Sequence, residues 1–230
     1  MRPLTDADCA PTDMLDQAQA RLGHPLPRAL REWYQLAGNA KDIWSWHDRL
    51  CLPTSLRVRE EVLVFCIESQ GIWRMGVRLS DLGEEDPPVV AWMNEAGVGP
   101  SEFGQLNSTL SEGALQYLAW VLRWANANSG FACSAAGCFA RHGFYGWWAP
   151  ETLAAIEREC VPCGFPVWRL WGRDNLFFER PDLLVHVFRE GLQGEKEMLY
   201  VAARTKVALA DFERIVRGTG FYWEGCRWYS

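Results

Sequence analysis

The opening Met1-Arg2-Pro3-Leu4-Thr5-Asp6-Ala7-Asp8 lacks the apolar stretch that follows the basic residues of an export signal. No uninterrupted apolar run approaches the length needed to span a membrane. These absences predict a soluble cytoplasmic protein with no membrane association. In that compartment the eight cysteines are expected as free thiols, not disulfides.

The familiar signatures of chemistry are also missing. There is no Gly-x-Ser-x-Gly elbow and no His-Glu-x-x-His zinc helix. Gly97-Val98-Gly99 is not followed by a third glycine, and no Gly-Lys-Ser/Thr occurs, which argues against an ATPase or a nicotinamide enzyme. The four histidines, His24, His47, His142 and His186, are dispersed. His186 alternates with Val185 and Val187, which predicts that it faces the solvent side of a strand. A non-enzyme without cofactor is expected.

One cysteine grouping competes with that expectation. Cys133 and Cys138 precede Cys160-Val161-Pro162-Cys163, and two close pairs can supply four thiolates to zinc. The first pair is too widely spaced for a zinc knuckle. A redox role for Cys160 and Cys163 would need the first thiol at a helix N-terminus, whereas the predicted helix ends before the pair. No metal is expected, and the pairs leave the alternative open.

What is present is ordinary globular composition: 49% hydrophobic and 23% charged over 230 residues, enough for one large domain or two small ones. The 13 tryptophans are scattered, as core or pocket-wall residues would be. The net charge of −6 is uneven. Residues 1–130 carry 11 Lys+Arg against 17 Asp+Glu, and residues 131–230 carry 12 of each. The acidic first part argues against a nucleic-acid partner and favours a basic protein partner.

Periodicity predicts a helix from Thr12 or Asp13 to Leu22, stopped by Gly23, and a second from Pro27 to Gly38. Val62 to Ile67, the turn Glu68-Ser69-Gln70-Gly71 and Ile72 to Val77 read as a hairpin. Asp81 to Pro88 is an acidic loop, and Val89 to Met93 a third strand. A long helix is expected over roughly Leu110 to Asn126, with Thr109 and Glu112 at capping-box spacing. Residues 130–149 show no clear period and mark a boundary. Beyond it lie a helix from Pro150 to Glu159, strands at 166–171, 176–179, 183–188 and 198–203, and a helix over 207–217. Gly172 to Asn175, Pro181-Asp182 and Gly191 to Gly194 are expected turns. The class is α+β, a mostly antiparallel sheet packed by helices. Whether the later strands extend the first sheet or form their own is left open.

Four stretches resemble, in order, the SUKH superfamily, which includes bacterial immunity proteins and the fungal Smi/Knr cell-wall regulators. They are Leu26-Pro27 through Trp33-Tyr34 to Gly38; Leu52-Pro53 with Glu68-Ser69-Gln70-Gly71 and the following Trp73-Arg74-Met75-Gly76; Asp86-Pro87-Pro88-Val89; and the helix from Leu110. The departures are Met75, where relatives often carry Trp, and the chain after residue 130, which the motifs do not cover. The resemblance implies a SUKH-like domain over 1–130 with an α+β extension over 131–230 on the same core. It implies a binding scaffold that neutralises a cognate bacterial toxin, or else a multi-partner regulator.

The residues themselves suggest where a partner would sit. Glu68 and Gln70, at a strand end beside Gly71, either face a partner or cap the turn. Asp81, Glu84, Glu85 and Asp86 either meet a basic patch or form a solvated loop. Trp44 and Trp46 between Asp42 and Asp48, together with Trp73, look like aromatic anchors with a charged rim, core packing being the alternative.

Overall fold

The computed structural model describes residues 4–40, 48–93, 103–124, 139–146, 150–170, 173–190 and 197–220. The chain divides into two compact units, one over Pro3–Val121 and the other from Leu122 to the C-terminus. Both combine helices with an antiparallel sheet of their own, so the class is α+β and the later strands do not extend the first sheet.

In the first unit, α1 (Thr12–Leu22) ends at Gly23, whose left-handed φ of 72° lets its N–H reach the Gln19 carbonyl. Helix α2 (Arg28–Ala37) starts just after Pro27 and buries Leu30, Trp33, Tyr34 and Ala37 along one stripe. Its six-stranded sheet contains β1 (Asp48–Leu50), β2 (Arg57–Arg59), β3 (Val62–Glu68), β4 (Trp73–Arg78), β5 (Val89–Met93) and β6 (Gly104–Asn107). The order is β1-β3-β4-β5-β6, and β2 also pairs with β3. The predicted hairpin and third strand are therefore present. Strands β1, β2 and β6, of three or four residues each, had no readable period.

The β2–β3 turn consists of Glu60 and Glu61, both left-handed at φ 51° and 58°. A two-residue hairpin asks for that conformation twice, and asparagine or glycine adopts it at less cost than glutamate. In β4, a Cβ on Gly76 would lie 2.4 Å from Val62 Cγ1 and 2.5 Å from the Leu63 carbonyl oxygen, so β3 approaches too closely for any side chain.

Helix α3 (Leu110–Trp124) begins at Thr109, whose hydroxyl accepts from the Glu112 N–H at 3.1 Å while Glu112 accepts from the Ser108 N–H. With α2 it covers one face of the sheet. Trp33 meets Phe65 and Tyr117 edge-on at 5.8 and 6.0 Å, and Trp73 meets Tyr117 and Trp120 at 6.4 and 6.3 Å. Each such ring pair contributes roughly 0.5–1.5 kcal/mol beyond its buried area. The Trp120 indole N–H donates to the buried Asp48 carboxylate, and the Asn107 amide donates to Gln116 at 2.9 Å, tying α3 to both sheet edges.

The second unit holds β7 (Phe139–Gly146), α4 (Pro150–Glu159), β8 (Val161–Pro162), β9 (Trp168–Leu170), β10 (Arg173–Arg180), β11 (Leu183–Glu190), β12 (Glu197–Ala203) and α5 (Lys206–Arg217). Its sheet runs β7-β12-β11-β10-β8, with β9 also beside β10. Arg173, Asp174 and Asn175, expected in a turn, belong to β10 and pair with β11. The turn at Pro181-Asp182 is as expected, while Gly191 to Gly194 lie outside the described residues. Ile156, Val185, Val187, Leu199, Val201, Leu209, Phe212 and Val216 form the core between the helices and one sheet face. Thr205 caps α5 by accepting from the Ala208 N–H.

His186 corrects the expectation of a solvent-facing ring. It is 1% exposed. It stacks on Phe177 of β10 and Tyr200 of β12 at 4.6 and 5.3 Å, its partners in strand register. Its Nε2 lies 2.9 Å from Asn175 Oδ1, and the Asn175 amide donates to the Trp168 carbonyl. Alternation predicted the face correctly, but that face is buried as well.

Candidate functional site

The residues expected to meet a partner are split by the fold. Trp73 is fully buried between Tyr117 and Trp120, so it is a core residue and not a surface anchor. Glu68 is 3% exposed and organises its own turn. Its carboxylate accepts from the Ser69 hydroxyl, the Gln70 N–H and the Ile72 N–H at 2.8, 2.8 and 3.1 Å, while Gly71, at φ 73°, donates to the Glu68 carbonyl. Both were expected at the partner surface, and their burial removes them from it. Gln70 is exposed at the tip of that turn. Trp44 and Trp46 lie outside the described residues.

The acidic loop is held at both ends. A short 3-10 turn, Leu79–Asp81, leads into it, and buried Leu82 anchors it. Asp81 accepts from the Ser80 hydroxyl at 2.6 Å. The Glu85 carbonyl accepts from the Ala29 N–H at 2.9 Å, at the first turn of α2, and its carboxylate lies 3.5 Å from Arg28. Asp86 accepts from the Ser111 N–H at 2.8 Å and so caps α3. Glu84 and Glu85 remain exposed on a turn tied to the start of α2 by the Glu85 carbonyl and to the start of α3 by the Asp86 carboxylate. Asp81 and Asp86 are half-buried and spend their oxygens on that framework.

The sheet face opposite the helices carries a feature absent from the sequence reading. Directly paired residues of antiparallel strands share a face. The register sets Arg49, Ile67, Arg74 and Trp92 in one row across β1, β3, β4 and β5. A second row is Arg57, Val64, Gly76 and Val90, and a third is Arg59, Val62 and Arg78. Five arginines thus surround a small apolar cluster of Val62, Val64, Val90 and Phe103, with Ile67 and Trp92 half-buried beside it.

Arg49, Arg57, Arg59 and Arg78 are exposed. The Arg74 guanidinium lies 4.5 Å above the Trp92 ring, and its Nε is buried without a hydrogen-bond partner among the described residues. Burial lowers the Arg74 pKa, and repulsion from Arg59 and Arg57 lowers it further against the opposing pull of Glu60. Among the described residues, no ion pair joins any of the five to a carboxylate. Arg78 donates to the Phe103 carbonyl at 2.6 Å. In the sequence, the visible trace of this face was arginine at even spacing, two apart at 57 and 59 and four apart at 74 and 78.

Cys160 and Cys163 carry little nucleophilic character. Burial pushes the Cys160 thiol up to about 11 against the pull of Arg180, and burial with Glu179 and Cys160 pushes Cys163 to about 11. At neutral pH both are thiols, a poor starting point for redox exchange. Cys133 and Cys138 lie outside the described residues, and among those described no group of three or more His, Cys, Asp or Glu is placed to hold a metal ion. Nor is any described helix long and apolar enough to cross a membrane. In comparisons with protein-family models, curated proteins and solved structures, nothing matches this chain.

Proposed function

We propose that the chain is a cytoplasmic protein-binding protein of the immunity type, which neutralises a basic toxin by covering its active surface. The observation that carries this reading is the acidic turn, with Glu84 and Glu85 exposed and its neighbouring groups, the Glu85 carbonyl and the Asp86 carboxylate, bonded to α2 and α3. A loop ordered before contact loses little conformational entropy on docking, and exposed carboxylates speed encounter with a basic surface. The SUKH resemblance over roughly residues 20–125 supports the same role. Occlusion needs no reacting group, only a shaped surface and a few well-packed anchors.

The test begins with the product of the gene beside this one. That product should be toxic when expressed alone and harmless when the chain is co-expressed, with the two recovered as a complex. The variant E84K/E85K should lose protection while keeping its melting temperature. A neighbouring product that is harmless alone, or protection that survives the charge reversal, would overturn the proposal.

A further inference from the structure

The arginine face lies on the opposite side of the first sheet from α2 and α3, and the acidic-turn reading makes no use of it. Positive charges of one sign held close together repel one another. Arg74 lies above the Trp92 ring, feels both Arg59 and Arg57, and its Nε lacks a hydrogen-bond partner among the described residues. Guanidinium forks present paired N–H donors that match a carboxylate, and an anion placed between them would relieve the repulsion and complete the bonding at once. Ile67 and Trp92 flank Arg74 in its own row and offer half-buried apolar area there.

We propose that this face is a second docking surface, which takes an acidic segment of a protein: carboxylates on Arg57, Arg59 and Arg74, and an apolar side chain against Ile67 and Trp92. Three features favour a protein segment over a nucleic acid. Residues 1–130 carry 17 acidic against 11 basic side chains, a background that repels a dense run of phosphates more than it repels a few carboxylates. The half-buried positions on the face include one aromatic ring, Trp92, whereas strand-binding sheets stack successive bases on several. The remaining half-buried surface is aliphatic, suited to a side chain and not to a base. This surface is distinct from the acidic turn, so either can fail without the other.

The test uses the intact chain and a short fluorescein-labelled peptide of repeated Glu-Glu-Tyr, followed by anisotropy at low salt. The peptide should bind, and binding should weaken as salt is raised. R57A/R59A should weaken it about tenfold, as expected when two exposed charge-assisted contacts are lost. R57K/R59K keeps the charge but removes the fork, and should restore only part of the affinity. E84A/E85A, which disables the other surface, should leave peptide binding unchanged. Both arginine positions are exposed, and circular dichroism melting confirms that the variants stay folded. Failure of the peptide to bind, or binding indifferent to R57A/R59A, would overturn the proposal. So would tighter binding of an oligothymidylate of matched length, which would assign the face to nucleic acid.

Discussion

Glu68 shows how a polar residue at the end of an apolar strand can be committed entirely to its neighbours. Two backbone N–H groups and one hydroxyl converge on its carboxylate. E68A leaves those donors in a turn with no replacement acceptor, and should cost about 1–3 kcal/mol of unfolding free energy in a urea titration. E68Q retains one acceptor oxygen and should cost less. The buried thiols make a second prediction. Cys160 and Cys163 titrate near 11 in the fold and near the ordinary value of 9.0 once unfolded, because burial disfavours the thiolate. Between those values the unfolded chain releases protons that the folded chain keeps, so their contribution falls as pH rises from about 9 and levels off above about 11. Denaturant midpoints measured across that window should decline for the wild type and decline less for C160A/C163A.

Among the elements, Gly76 is the most exacting position in the first sheet. G76A places a methyl group against Val62 and the β3 backbone and should destabilise by about 1–3 kcal/mol or more, with the loss read from thermal or urea unfolding. D86A removes the cap that the acidic loop supplies to α3 and should cost about 1 kcal/mol. Elements with their own local signal were legible in sequence: α1 and α2 by apolar spacing and flanking glycine, the β3–β4 hairpin by its turn, α3 by Thr109 and Glu112. Elements that exist through pairing were not. Strand β1 is three residues whose meaning lies in Glu68, Ile67 and Cys66 opposite, and β7 fills a stretch without period because it pairs with β12. Side-chain fates followed the same division. Neither the cap that Asp86 gives α3 nor the burial of Trp73 could be read locally, because both depend on a helix far along the chain. The arginine face was invisible because Arg49, Arg74 and Trp92 become neighbours only once four strands are in register.

At the scale of the molecule, charge is arranged by surface more than by stretch of sequence. The first unit shows exposed carboxylates on the loop before β5 and guanidinium groups on the sheet face away from α2 and α3, although its overall count is acidic. A basic probe such as poly-lysine should therefore bind at low salt and lose most of its affinity in E84K/E85K. That measurement, made beside the acidic-peptide titration, separates the two surfaces by sign. Residues 131–230 carry basic and acidic side chains in equal number. The second unit's sheet is apolar on the helix side and holds the Phe177-His186-Tyr200 stack on the other.

Glu60 and Glu61 join these scales. The chain makes its β2–β3 hairpin with two residues that resist the observed backbone twist, where Asn-Gly would adopt it readily. Replacing the pair with Asn-Gly should raise the thermal midpoint, with a gain of about 0.5–2 kcal/mol. The same exchange strips away Glu60, whose negative charge pulls on Arg74, so the sturdier molecule should also hold an acidic peptide more tightly. Here robustness and grip would improve in a single step, and the wild-type glutamates act as a brake on both.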